Sequence, residues 1–174
     1  GEVSILGAAG LVVYRHPVDA VLGVVTHPHR DEVFEDAFAY TILAEEGDRE
    51  CFLAGECTEY GFEAEETTDL ALLGTVTHRF HLEMARVTPA EGPDLVLGRT
   101  LAPDPVQFST QLMAVDQQYG LFALWNEADR CTRLEAFWVD ARFIGLEVPD
   151  YFAVEQAVSS MAAYAEEVDA WLDE

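Results

Sequence analysis

The most regular stretch of the chain is Thr75–Arg86, where Val76, His78, Phe80, Leu82 and Met84 alternate with Thr75, Thr77, Arg79, His81 and Glu83. A period of two puts the first set on one face and the second on the other, as in an antiparallel strand with one face buried. Leu95–Leu101 and Val106–Val115 read as further strands, set apart by turns at Pro89, Gly92 and Pro93 and at Pro103 and Pro105. Tyr119–Trp125 and Leu134–Val139 are expected to pair across a turn, although 126–143 also tolerates a helical reading.

The N-terminal part carries weaker signals. Leu11–Tyr14 and Ala20–Thr26 read as two short strands split by His16-Pro17, and a loop follows at Thr26–Asp31. Between Asp31 and Ala44, the residues Phe34, Ala37, Phe38 and Ile42 suit a helix face, whereas Phe38, Tyr40 and Ile42 alternate as a strand would. Glu45–Asp48 predicts a hairpin turn into a strand at Cys51–Tyr60, and Glu63–Asp69 an exposed acidic loop.

After Pro149 the period changes. Asp150 can act as an N-cap, and Val154, Val158, Met161, Ala165, Val168 and Leu172 follow at spacings of four and three. That is one apolar stripe of a long amphipathic helix. The fold expected is α+β, a mostly antiparallel sheet packed against a long C-terminal helix, as a single domain over residues 1–174. The helix stripe also admits a homodimer seam as a second use.

Composition agrees with a folded core. Half of the residues are hydrophobic, with ten Phe, six Tyr and three Trp, which opposes intrinsic disorder. No apolar run is long enough for a membrane span and no basic segment precedes one, so a cytoplasmic protein is expected. Cys51 and Cys57 match no common zinc spacing, and together with Cys131 they read as free thiols of a reducing compartment.

Charge alters the functional expectations most. Thirty-three Asp and Glu face nine Arg and no Lys, for a net charge of −24. Residues 1–30 are neutral, residues 31–69 carry −13, residues 70–146 carry −3, and residues 147–174 hold eight acids and no base. Such a chain repels nucleic-acid phosphates and anionic lipid, so neither direct nucleic-acid nor membrane binding is expected. Salt adaptation or coding bias would act along the whole chain and does not predict two blocks.

The leading expectation is therefore a non-enzymatic acidic protein that engages a basic protein partner, as inhibitors, immunity proteins, chaperones and nucleic-acid mimics do. The acids expected to carry the contact are Glu45, Glu46, Asp48, Glu63, Glu65, Glu66, Asp69, Glu166 and Glu167. That reading requires no cofactor. The alternative is a helix-over-sheet domain binding or transforming a small hydrophobic ligand, its pocket lined by Phe108, Trp125, Phe137 and Trp138. A third reading is a metal-dependent enzyme using His27 and His29, two residues apart in an extended segment beside Asp31 and Glu32. His78 and His81 fall on opposite faces of their strand and cannot share one ion. Glu83, Asp116 and Asp140 are the acids with apolar neighbours, and no hydrolase, P-loop or dinucleotide motif is present.

Overall fold

The computed structural model describes residues 5–34, 37–70, 74–110, 113–144 and 150–174. Its frame is one antiparallel sheet in the order β1-β8-β7-β5-β4-β3-β2, with the short β6 beside β4. The strands are β1 (Ile5–Tyr14), β2 (Ala37–Glu46), β3 (Glu59–Leu70), β4 (Gly74–Val87), β5 (Leu95–Ala102), β6 (Gln107–Phe108), β7 (Met113–Glu127) and β8 (Arg130–Phe143). Among the described residues, three helices accompany it: α1 (Val18–Val25), α2 (Arg49–Leu53) and α3 (Asp150–Leu172). A 3-10 turn covers Arg30–Glu32. This is the helix-over-sheet α+β architecture that the alternating strands and the C-terminal stripe predict.

Several local expectations change. Ala20–Thr26 is helical: Val18, Val21, Leu22, Val24 and Val25 are all buried, and a fully buried apolar run looks alike as helix or strand. The turn at Glu45–Asp48 leads into α2 rather than a strand, because the Asp48 carboxylate accepts a hydrogen bond from the Cys51 backbone N–H at 2.9 Å and caps the helix. Glu63–Asp69 is not a loop but the second half of β3, paired with Thr75–His81 of β4. Val106–Val115 splits into β6 and the start of β7. The stretch at 126–143 is strand, with β8 paired antiparallel to β7.

The thiols also differ from expectation. Cys51 and Cys57 form a disulfide, with their Cα atoms 5.2 Å apart, and Cys131 stays free and buried. Helix α2 folds the chain back so that the Cys57 backbone N–H donates to the Cys51 carbonyl at 3.1 Å, which brings the two sulfurs together.

One end of the domain is densely packed. Tyr14, Leu22, Phe52, Tyr60, Phe62, Leu124 and Val168 are essentially inaccessible there. Arg49 donates to the carbonyls of Thr26 and Gly23, at 2.8 and 3.1 Å, and so closes the C-terminus of α1. Arg86 ties α2 to α1 through the Phe52 carbonyl (3.0 Å) and Asp19 (2.8 Å). The last turn of α3 is held to the end of β1 by Asp169, which accepts from the Arg15 backbone N–H at 2.9 Å, and by an Asp173–Arg15 ion pair at 2.7 Å.

Candidate functional site: a half-filled interior under the C-terminal helix

Packing loosens along the helix. Val168, Ala165 and Met161 are 0, 6 and 8% exposed, whereas Val158, next on the same stripe, is 45% exposed. The inner sheet face below is mixed: Val76, Phe80, Leu82, Ala102, Val115 and Ala141 stay buried, while other inward positions do not. Val12, Leu124 and Val96 lie at the packed end, opposite one another through Arg133. Further along, His78, Thr100, Phe108, Gln118, Gly120, Phe137 and Val139 point inward yet are only half-buried. Small residues keep this floor low. At Gly10 a Cβ would meet the Met161 sulfur at 2.9 Å, while at Gly120 its nearest neighbour would be 3.6 Å away. The arrangement leaves half-buried positions on the inner sheet face beneath a helix stripe whose exposure rises from Val168 to Val158.

Two sets of polar side chains reach into this space. Across β2, β3 and β4, Tyr40, Glu66 and His78 stand directly opposite one another in register. Arg30, from the 3-10 turn, lays its guanidinium over the rings of Phe34, Tyr40 and Tyr164 at 5.0, 5.6 and 5.8 Å. Tyr40 and Glu66 are each 7% exposed. Among the described residues, the Tyr40 hydroxyl and the Arg30 Nε–H are buried with no well-formed hydrogen-bond partner. Burial pushes the Tyr40 phenol well above its ordinary pKa and pulls the His78 imidazole down, so both are neutral near pH 7. Burial opposes the charge on Arg30, but Tyr164, Glu66 and Tyr40 outweigh it and hold the guanidinium protonated.

The second set surrounds Arg133 on β8. Its guanidinium pairs with Glu135 at 2.9 Å, lies 4.7 Å above the Phe122 ring and reaches the Tyr14 hydroxyl at 3.5 Å. Tyr164 on α3 sits between the two arginines, stacked on Phe34 at 4.7 Å and 5.5 Å from the Arg133 guanidinium.

The acids expected to meet a basic partner are dispersed. Glu63 and Glu65 lie on the outer sheet face, Glu63 paired with Arg79, while Glu166 is exposed on α3, which covers the inner face. Asp69 and Glu46 are exposed, Glu45 accepts from the Tyr60 hydroxyl at 2.6 Å, and Asp48 is spent on the α2 cap. Glu167, on α3, is half-buried. Glu66 is the exception, since it points inward. Glu63 and Glu65 thus face the opposite side of the sheet from Glu166, and the first acidic block is itself divided.

The expected pocket residues also divide. Phe108 and Phe137 are on the inner face, whereas Trp125 and Trp138 are on the outer one, where Trp138 and Tyr119 pack 5.8 Å apart among exposed Leu11, Leu121 and Leu134. His27 accepts from the His29 backbone N–H at 3.2 Å and its ring packs 5.9 Å from Trp171. No group of three or more His, Cys, Asp or Glu placed to hold a metal occurs among the described residues. The helix stripe is largely core, through Met161, Ala165 and Val168. An open depression of about 700 Å³ on the outer face, at Glu46, Glu59, Glu83, Leu97 and Arg99, adds no unpartnered group, since Glu83 and Arg99 are ion-paired.

Arg30, Tyr40 and His78 were not assigned to any site by sequence, and Glu66 was assigned to the wrong surface. One signal was available for Glu66. Tyr60, Phe62 and Ala64 alternate with Gly61, Glu63 and Glu65, and continuing that period places Glu66 on the apolar face.

The fold is a helix-over-sheet α+β domain whose inner face is incompletely buried under the C-terminal helix. No family model and no curated protein matches the chain. Solved structures do. A START superfamily protein from Mycobacterium smegmatis aligns over 96% of this chain and 97% of its own, at 12% identity and a TM-score of 0.61. The human StarD13 lipid transfer and protein localization domain aligns over 93% and 74%, at 11% identity and a TM-score of 0.55. A Thalictrum norcoclaurine synthase, solved as a point mutant in complex with a transition state analogue, aligns over 99% and 96%, at 10% identity and a TM-score of 0.51. The chain shares the fold of these proteins. This overturns the expectation of an acidic inhibitor or immunity protein, whose proposed contact surface is also split between two sides of the sheet. Among the described residues, no helix is long and apolar enough to cross a membrane.

Proposed function

We propose that this domain binds a small, mainly apolar ligand between the inner sheet face and the N-terminal half of α3. The observation that carries the reading is the burial gradient along one helix stripe, from Val168 at 0% to Val158 at 45% exposed, over a floor of half-buried Gly120, Phe137 and Val139. Apolar surface left open beneath a helix is costly, at about 25 cal/mol per Å², and a ligand that covers it recovers that free energy. A lipid transfer domain and an enzyme solved with a transition state analogue share the fold, which supports an interior used for small molecules.

Nile red, an apolar dye whose emission rises in apolar surroundings, tests this. The wild type is expected to bind the dye, and Gly120→Leu, which fills the floor, to abolish binding while the protein remains folded. Leu134→Ser, on the exposed outer face, is expected to leave binding intact. Dye binding that survives Gly120→Leu and disappears with Leu134→Ser would move the site to the outer face and refute the proposal.

A further inference from the structure

Resting on that reading, we infer that the ligand carries an uncharged oxygen, a hydroxyl or carbonyl, which docks at Tyr40, Arg30, Glu66 and His78. Buried polar groups in folded proteins almost always have partners. Here the Tyr40 hydroxyl on β2 and the Arg30 Nε–H on the 3-10 turn have no well-formed partner among the described residues. The close approach of the Arg30 guanidinium to the Tyr40 oxygen uses neither the Tyr40 O–H proton nor the Nε–H. Arg30 cannot lose its proton, so its vacant Nε–H needs an acceptor. Tyr40 is 7% exposed and its ring lies under the Arg30 guanidinium, so one oxygen brought to this corner has both donors to hand.

The surrounding charges select among oxygens. Arg30 and Glu66 are opposite charges within electrostatic reach of each other, and Tyr40 and His78 are neutral, so the corner is balanced before a ligand arrives. A carboxylate or phosphate head would add a negative charge beside the Glu66 carboxylate in a poorly solvated place, where like charges repel strongly. An ammonium head would leave the Arg30 donor without an acceptor and add a second cation. A carbonyl oxygen accepts from Arg30 and Tyr40 at no charge cost. A hydroxyl does the same and can donate its own proton to Glu66 or to His78.

A ligand series of constant chain length separates head group from tail. Displacement of Nile red by 1-decanol, 2-decanone and sodium decanoate would be measured at pH 7.5 on the wild type, Tyr40→Phe and Glu66→Gln. In the wild type, decanol and decanone are expected to bind at least tenfold more tightly than decanoate. Tyr40→Phe removes only the hydroxyl and is expected to weaken decanol and decanone by about 2- to 10-fold, the worth of one hydrogen bond, and to leave decanoate unchanged. Glu66→Gln is expected to narrow the gap by tightening decanoate. Decanoate binding as tightly as decanol, or decanol indifferent to Tyr40→Phe, would overturn the head-group assignment while leaving the apolar site standing. If none of the three displaces the dye from a protein that binds it, the interior site and this inference fall together.

Discussion

Two glycines on the inner sheet face should respond oppositely to the same added methyl group. Gly98 lies directly opposite Phe122 in the β5–β7 register, and Gly120 lies opposite Thr100 and Phe137. A Cβ on Gly98 would come within 2.6 Å of Phe122 Cε2 and closer still to Cζ and Cε1, whereas ordinary carbon contacts are about 3.5–4.0 Å. The ring must therefore withdraw by about 1 Å or more. The Arg133 guanidinium, itself tied to Glu135, lies 4.7 Å from the centre of that ring, so a shift of the ring disturbs the stack and the ion pair. Overpacking of this kind costs about 1–3 kcal/mol. A Cβ on Gly120 meets nothing nearer than 3.6 Å. Gly120→Ala therefore loses only chain entropy in the unfolded state, which stabilises by about 0.4–1 kcal/mol.

The two variants are thus expected to differ by about 1.4–4 kcal/mol. Urea unfolding followed by tryptophan fluorescence at fixed salt measures the difference, provided that the two m-values agree. If Gly98→Ala proves as stable as Gly120→Ala, the Phe122–Arg133 stack is not rigid, and the floor of the site is not the fixed surface described above.

Other consequences are quick to check. The His78 pKa is lowered by burial, so the unfolded chain takes up a proton first as pH falls. Stability is then full above about pH 6.5 and declines below it through the folded value; urea midpoints at pH 7.5 and 5.5 should differ more for the wild type than for His78→Gln, and equal differences would refute the assignment. With a net charge of −24, self-repulsion should be screened as the Debye length shrinks from about 10 Å at 0.1 M salt to 3 Å at 1 M, so the Tm should rise with NaCl, and a falling Tm would contradict this. Thiol titration of the unreduced, denatured protein should find one reactive group, Cys131, and the native protein none, because burial raises that thiol to about 12; three thiols in the denatured protein would rule out the Cys51–Cys57 bridge. Replacing both Arg30 and Glu66 by Met and Leu should erase the preference for decanol over decanoate, whereas Glu66→Leu alone removes a carboxylate whose field supports the buried Arg30 charge and should be less stable than the double variant; equal stability of the single and double variants would show that the two charges do not interact.

The elements legible in the sequence are those with one wet face. On β4 every second residue is apolar, and on α3 the stripe recurs at four and three, so period alone fixes both the element and its buried side. Elements with no wet face were misread. Helix α1 buries five of its eight residues, four of them valines, and a single exposed acid, Asp19, is too little to mark its period. Charge misled at β3, where outward acids at Glu63 and Glu65 made a strand look like a loop. The disulfide was hidden because its two cysteines are brought together by α2, and that helix rests on a cap at Asp48 which had been read as a hairpin turn.

The same bias explains why the site was missed. In a chain with 33 acids, each one looks like solvent-facing charge, and composition cannot single out the member that is not. Glu66 is buried on the inner sheet face, in register between Tyr40 and His78. Stability gives no reason for it, since burying a carboxylate and a guanidinium generally costs as much as or more than their attraction returns, and apolar residues of similar size would pack at least as well. An arrangement that stability does not require, built from four separate segments of the chain and leaving two donors unpaired, is accounted for by what the interior must recognise. The acidic surface and the interior thus answer different demands: the outer charge sets how the domain behaves in salt, and the proposed role of Glu66 is to select the head group.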